Sequence, residues 1–291
     1  MKICDTVHQL RIDFNVTPQI RRYVYIYIIE GKKGYYLIDA GVKGSEKKIG
    51  EYIHKIGKSR QTINALLLTH SHPDHIGAAR ALKRKDGTTI YACEKERGWI
   101  EDIDLQYKER PIPNFYDLIE GSVTVDRTIQ QGDLICLEPG IELEVIQSAG
   151  HSAASLSFYY RGEQILFTGD AIPVAGDIPI YVNSSESIRT LVRLKDQEHV
   201  RFYCPAWDYV YGRAEGICKI ESAILQMEKL RDITKTSAMQ LESGAVVFEA
   251  IFADLCRQME MQQWAAHPLF KRSVLMDLNR MIEENGRSEK R

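Results

Sequence analysis

Thr69-His70-Ser71-His72-Pro73-Asp74-His75 is the stretch that decides how this chain folds. Four side chains able to bind a metal, His70, His72, Asp74 and His75, fall within six residues. Residues at i and i+2 do not share a helix face. A chemistry that uses His70 and His72 together therefore needs an irregular loop that turns several side chains toward one point. Pro73 agrees with this, because it restricts the residue before it away from helix. Imidazole nitrogens with a carboxylate suit zinc, and also iron or manganese. Three of the chain's eight histidines lie in this span beside an aspartate, a concentration that a merely hydrophilic loop does not explain. Asp74 also reads as the N-cap of the helix that follows.

Working outward, Ile63 to Leu68 is an apolar run broken only by Asn64 and reads as a strand buried on both faces. Ile76 to Lys85 reads as a helix, with Lys83, Arg84 and Lys85 in its last turn and Gly87 just beyond. Two more polar residues follow apolar strands in the same way. His151 lies in Gly150-His151-Ser152 after Leu143 to Ile146, and Asp170 lies in Thr168-Gly169-Asp170-Ala171 after Ile165 to Thr168. Taken singly, a loop histidine is more often a satisfied polar group, and an aspartate there could cap a turn. Taken together, three apolar strands run into metal-competent side chains, and sites in α/β architectures collect at strand ends.

The rest of the chain supplies the frame. Tyr23 to Glu30 and Gly34 to Asp39 read as a hairpin around Gly31-Lys32-Lys33. Ser45 to Ile56 reads as a helix with Ile49, Tyr52, Ile53 and Ile56 on one face and Gly57 as its stop. Thr88 to Ala92 is a strand. Lys95 to Gly121 carries Trp99, Tyr107, Phe115 and Tyr116 and reads as a helical turn plus a loop of the kind that borders a site. From Val123 to Phe167 short strands are split by turns at Gly132-Asp133, Pro139-Gly140 and Arg161-Gly162. Ser187 to Leu194 is helical, and Arg201 to Cys204 is the last strand read. Beyond residue 213 the pattern is helical: Ile217 to Ile233, Val246 to Met261 and Ser273 to Glu284, with a charged, frayed tail at Glu283 to Arg291. The expected division is a catalytic α/β domain at 1–213 and a helical segment at 214–291.

A chain of 291 residues has room for one large domain or a domain with an appendage. A formal net charge of -2 gives no electrostatic reason to expect a nucleic-acid partner. The six cysteines are scattered without a C-x-x-C pair, which favours free thiols in a reducing compartment. Met1 to Asp13 has no signal-peptide core, and no run approaches the roughly 20 apolar residues that span a bilayer. The expectation is a cytoplasmic protein with a small-molecule substrate and no membrane partner; a homodimer is left open.

Thr69 to His75, Gly150-His151-Ser152 and Thr168-Gly169-Asp170 resemble, in order, the signature series of the metallo-β-lactamase fold superfamily. Leu37-Ile38-Asp39-Ala40-Gly41 and Asp74-His75-Ile76-Gly77 fit the same series, and the resemblance covers about residues 20 to 212. It implies an α/β (α+β) fold, a four-layer αββα sandwich with the site at one edge of two packed sheets, here with a helical C-terminal segment. It further implies that His70, His72 and His151 hold a first metal, that Asp74 and His75 hold a second, and that Asp170 bridges them. Asp39 would steady the histidine loop, its other reading being a strand-end turn carboxylate. The implied cofactor is zinc, one or two ions, with iron or manganese as alternatives.

The family usually supplies one more histidine near the end of this core. Here that stretch reads Tyr203-Cys204-Pro205-Ala206-Trp207-Asp208, with Trp207 at the ligand position. An indole N–H donates and cannot coordinate. Three outcomes stay open: Asp208 enters as a carboxylate ligand, the second metal binds weakly with an extra water, or one metal suffices. Asp208 is the residue expected. His199 reads as part of a helix-to-strand connection.

A cation lowers the pKa of its bound water from 15.7 toward about 7, so the site would attack an ester, thioester or lactone carbonyl. Asp74 or Asp170 would orient the attacking group and pass a proton to the leaving group. No G-x-S-x-G elbow competes for the role. The expected activity is hydrolysis of a small ester, thioester or lactone, similar to the glyoxalase II and lactonase branches. Alternatives are an iron-dependent oxidoreductase of the sulfur dioxygenase kind and a nuclease-branch member. The diiron flavoproteins carry a flavodoxin domain and the nucleases insert domains, and neither is visible in the sequence.

Overall fold

In the computed structural model the described residues are all but 19, 58–61, 243–246 and 289–291. Their strands form two six-stranded sheets. The first runs in chain order: β1 (Val7–Thr17), β2 (Ile20–Glu30), β3 (Tyr35–Ile38), β4 (Ile63–Leu67), β5 (Thr89–Cys93) and β6 (Arg127–Ile129). β1, β2 and β3 pair antiparallel; β3 to β6 pair parallel. The second is a meander of β7 (Leu134–Glu138), β8 (Ile141–Gln147), β9 (Leu156–Tyr160) and β10 (Ile165–Gly169). β11 (Phe202–Pro205) joins β10 in parallel, and β12 (Tyr211–Gly212) closes the edge.

The pleat explains why the first sheet is buried on both faces. Successive side chains of a strand point to opposite sides. Ile26 and Ile28 of β2, with Leu66 of β4, pack into one apolar cluster beside Ile49, Ile53, Leu82 and Ile100. Tyr27, Ile29, Ala65 and Leu67, one residue out of step, pack into another with Leu143, Val145, Phe158 and Phe167 of the second sheet. The first cluster is covered by α1 (Ser45–Ile56), α2 (Pro73–Ile76), α3 (Ala79–Asp86), α4 (Glu94–Glu101), α5 (Ile103–Glu109) and α6 (Phe115–Leu118). Helices, sheet and sheet are thus stacked within one compact unit, which comprises Met1–Gln147, Ala154–Asp170 and His199–Arg213.

The second unit comprises Ser148–Ala153, Ala171–Glu198 and Ala214–Arg291. It contains α7 (Ser184–Asp196), nearly all of α8 (Arg213–Glu242), α9 (Phe248–Gln258), a 3-10 turn at Gln262–Trp264 and α10 (Pro268–Ser288). Ala238, Leu278 and Met281 form an apolar cluster inside it, with Phe248 and Ile282 against it. Among the described residues no helix is long and apolar enough to cross a membrane.

The structure differs from the sequence expectation in several elements, the short strand β12 (Tyr211–Gly212) being one that the expectation does not contain. β1 has no counterpart in that expectation, although Leu10, Ile12 and Phe14 alternate with polar residues. The helix expected over Ile76 to Lys85 is interrupted: Ile76 ends α2, Ala78 leaves helical geometry at φ -97 and ψ 2, and α3 begins at Ala79. Gly77 passes so near other backbone that a Cβ on it would lie 2.3 Å from the Leu118 carbonyl oxygen and 2.5 Å from Val42 Cα. The stretch 95–121 holds three short helices in place of a helical turn and a loop. Asp102 starts the second of these by accepting from the amides of Asp104 and Leu105.

One carboxylate ties the two sheets at their far edge. Glu138 of β7 accepts from the amides of Lys32 (2.7 Å) and Lys33 (2.9 Å) in the β2–β3 turn and from the Tyr36 hydroxyl (2.9 Å). Burial alone would raise the Glu138 pKa, but the amides of Lys32 and Lys33 and the Tyr36 hydroxyl reverse this and lower it. Burial and that same carboxylate push the Tyr36 phenol up to about 12.

Candidate metal centre

β4 ends at Leu67, and its exit is fixed by Asp39, the residue after β3. Asp39 has φ 63, in the left-handed region where non-glycine residues are uncommon. Its carboxylate accepts from the Thr69 amide and the Thr69 hydroxyl, both at 2.8 Å, and lies 2.7 Å from His75 Nδ1. Asp39 is 2 % exposed. One buried carboxylate thus holds both ends of the histidine loop. Because a carboxylate accepts, His75 Nδ1 carries the proton and Nε2 is turned inward. Across the site, Gly169 has φ 51, and a Cβ there would lie 2.9 Å from the Thr69 side chain. Only glycine lets β10 deliver Asp170 this close to the loop.

His75 Nε2 stands 3.2 Å from Asp170 Oδ1 and 3.6 Å from Asp74 Oδ2. Burial would lower the His75 pKa, but Asp170, Asp39 and Asp74 together carry it well above its ordinary value. Burial, with the nearby Asp170, raises the Asp74 carboxyl. Three carboxylates around one buried imidazole are a concentration of negative charge that a divalent cation neutralises. Asp74 follows Pro73 inside α2, whose N-cap is His72, so its capping role does not arise.

His70 and His72 are 1 % and 4 % exposed, with ring centroids 4.4 Å apart and planes at 78°. His70 Nε2 and His72 Nδ1 lie 2.9 Å from each other. Two nitrogens sharing one tetrahedral zinc at 2.0–2.1 Å would be separated by about 3.3 Å. The pair is therefore close to the spacing one ion imposes. His151 Nδ1 lies 2.9 Å from the Ile180 carbonyl oxygen, to which it donates, which leaves Nε2 for a cation.

The metal-competent atoms form two groups, each with its atoms within 4.8 Å of one another: His70, His72, His151 and Asp170, and Asp74, His75 and Asp170. Asp170 is common to both. The donor set of imidazoles and carboxylates, with buried nitrogens turned to one point, fits a divalent cation.

Trp207 stands at the position where the resemblance implies a further imidazole. Its indole N–H donates to Asp170 Oδ2 at 2.9 Å. The ring is held by Phe14, edge-on at 6.4 Å, and by the Arg22 guanidinium at 5.9 Å, while the Tyr23 hydroxyl donates to the Trp207 carbonyl at 2.8 Å. Asp208, the ligand expected in its stead, lies outside both groups. Its Oδ1 accepts from the Tyr209 amide at 2.9 Å and its Oδ2 from the Tyr211 hydroxyl. His199 sits on the connection before β11, with φ 57, its carbonyl accepting from Tyr159.

Two residues that sequence reasoning missed grip the loop from below. Glu96 of α4 accepts from the Ser71 amide (3.2 Å), from the Ser71 hydroxyl and from the Ala154 amide (3.0 Å). Gln106 of α5 donates to the Ser71 carbonyl at 2.5 Å. They are 4 % and 0 % exposed. Ser71 lies between His70 and His72, so these contacts fix the residue that separates the two imidazoles. Glu96 sits in Glu94-Lys95-Glu96-Arg97, which reads as a solvated helix face; no local signal marks it.

A family profile described as Metallo-beta-lactamase superfamily matches residues 20–206. The hydroxyacylglutathione hydrolase GloC of Haemophilus influenzae is 30% identical over 178 residues, 58% of this chain and 79% of that protein. A hydroxyacylglutathione hydrolase of Albidiferax ferrireducens is 26% identical over 204 residues, 68% of this chain and 67% of that protein. Among solved structures, a metallo-beta-lactamase family protein from Thermus thermophilus superposes with TM-score 0.73 at 18% identity, covering 98% of this chain and 95% of that one.

Proposed function

The chain belongs to the metallo-beta-lactamase superfamily and is a metallo-hydrolase, and from that premise we propose that it hydrolyses a small thioester, ester or lactone with zinc as its cation. The observation that carries this reading is the pair of donor groups sharing Asp170. His70, His72 and His151 would hold the first ion, and Asp74, His75 and the shared Asp170 would offer a second, weaker site. When bound, zinc supplies Lewis acidity, polarising the scissile carbonyl and acidifying water. The chain's own groups do the rest. Asp39 fixes the His75 tautomer, and the Ile180 carbonyl that of His151. Asp74 and Asp170 orient the attacking water and carry its proton to the leaving group. Trp207 keeps Asp170 Oδ2 aimed by donating to it.

A thioester is favoured within this class because relatives matched over half of the chain or more are hydroxyacylglutathione hydrolases by name, and an acylglutathione is a thioester. The six cysteines are free, which supports a reducing compartment such as the cytoplasm as the setting. The test is hydrolysis of an acylglutathione, an aryl ester and a lactone by zinc-loaded protein, side by side with His72→Ala. The expected result is turnover, thioester first, falling about a thousandfold in the variant, some 4 kcal/mol of barrier. Zinc-loaded protein that turns over none of the three would overturn the proposal.

A further inference from the structure

His151 comes from a short loop, and its orientation is set elsewhere in the second unit. The Gly150 carbonyl accepts from the amides of Val182 (2.7 Å) and Asn183 (3.3 Å), and the His151 ring donates to Ile180. The turn at 180–184 is thus the seat of the imidazole. That turn is held in its place by α10. Ser273 Oγ accepts from the Tyr181 amide at 3.1 Å, and Asp277 Oδ1 from the Ser184 amide at 3.2 Å.

Both α10 contacts are built for acceptance. Ser273 spends its own proton on the Leu269 carbonyl at 3.1 Å, so a lone pair faces the Tyr181 amide. Asp277 is 0 % exposed and is neutralised by Arg280, whose Nη2 lies 2.7 Å away. Arg280 is in turn held by Glu284 at 2.8 Å. Ser273 and Asp277 are four residues apart and share one face of the helix. A buried carboxylate is costly unless it is paired and hydrogen-bonded, and the amide it receives is the first of α7, next to the turn that orients His151.

We propose that Ser273 and Asp277 of the C-terminal helix are positioning residues for the metal site, fixing the tautomer and aim of His151 through the Ile180 carbonyl. The inference rests on the reading above that His151 is a ligand. It gives the helical segment after residue 213 a defined task, preparing a nitrogen for the cation.

The test uses the full chain as Ser273→Ala, Asp277→Asn and Ser273→Thr. Zinc affinity is read by competition with a chromogenic chelator. The His151 tautomer is read by nitrogen-15 NMR on metal-stripped protein, which needs no activity and no ion. The expected result is zinc affinity about 10–100-fold weaker in Ser273→Ala and in Asp277→Asn, the usual cost of losing an outer partner of a ligating histidine. The Nδ1–H form of His151 gives way to a tautomer mixture in both, while the His70 and His72 signals stay in place. Ser273→Thr keeps the hydroxyl and restores both readouts. Affinity and tautomer unchanged in Ser273→Ala would overturn the inference, and that variant decides alone if Asp277→Asn does not fold. Wild-type protein that takes up no zinc would sink the proposed function instead, with the tautomer readout still deciding this inference.

Discussion

Asp170 divides its two oxygens between different tasks. Oδ1 faces His75 Nε2 at 3.2 Å, and Oδ2 accepts from the Trp207 indole at 2.9 Å while standing 3.8 Å from His70 Nε2. An imidazole in place of the indole could ligate a cation; the indole can only donate. The Asp74, His75 and Asp170 group is therefore one nitrogen short, and Asp208, engaged with Tyr209 and Tyr211, does not make up the difference. Trp207→His is expected to raise zinc bound after dialysis from about one ion per chain toward two, measured by elemental analysis. An unchanged metal count would contradict this account of the position. The histidine loop was legible because its donors are neighbours in the chain and its geometry follows from their spacing. The donation of Trp207 to Asp170, and the grip of Glu96 and Gln106 on Ser71, were not. Such partners lie 25 residues or more away in the chain, and nothing local distinguishes them from solvated polar side chains.

At the scale of elements, the strands and helices that read clearly are those whose burial has one period. α1 spans Ser45–Ile56 as its apolar face demands, and β4 is buried on both faces, apart from the half-buried Asn64, as a mostly apolar run should be. Where a third partner intrudes, the period is silent: Gly77 lies so close to Leu118 and Val42 that a side chain there would clash, and the chain sequence does not bring those residues near. The Glu138 clamp is of the same long-range kind, and it gives a signed pH dependence. Its folded pKa is depressed, so its stabilisation is complete above the ordinary carboxylate value and is lost as pH falls through the lower, folded value. Glu138→Gln should lower Tm by roughly 3–8 °C at pH 7, from hydrogen bonds to a charged acceptor. The gap to wild type should close as the pH drops below about 4, near the ordinary value for glutamate. Calorimetry across that range checks it; a gap that does not change with pH would rule the clamp out.

For the whole molecule, the fold class was legible and the grouping of segments was not. Strand patterns stop near residue 213, and from that alone a division at 1–213 and 214–291 follows. Contacts instead group 148–153 and 171–198 with 214–291, because a helix and a turn inside the first stretch pack with the C-terminal helices, as Tyr181 and Ser184 do with Ser273 and Asp277. The candidate ligands come from positions 70–75, 151 and 170, so cation binding and folding are linked. The most direct test of the central claim is anomalous diffraction at the zinc edge from crystals of the protein purified with zinc. The account predicts a peak about 2.0–2.1 Å from imidazole nitrogens of His70, His72 and His151, absent in His72→Ala. No peak beside these three residues in zinc-soaked wild-type crystals, with the imidazoles turned apart, would contradict it.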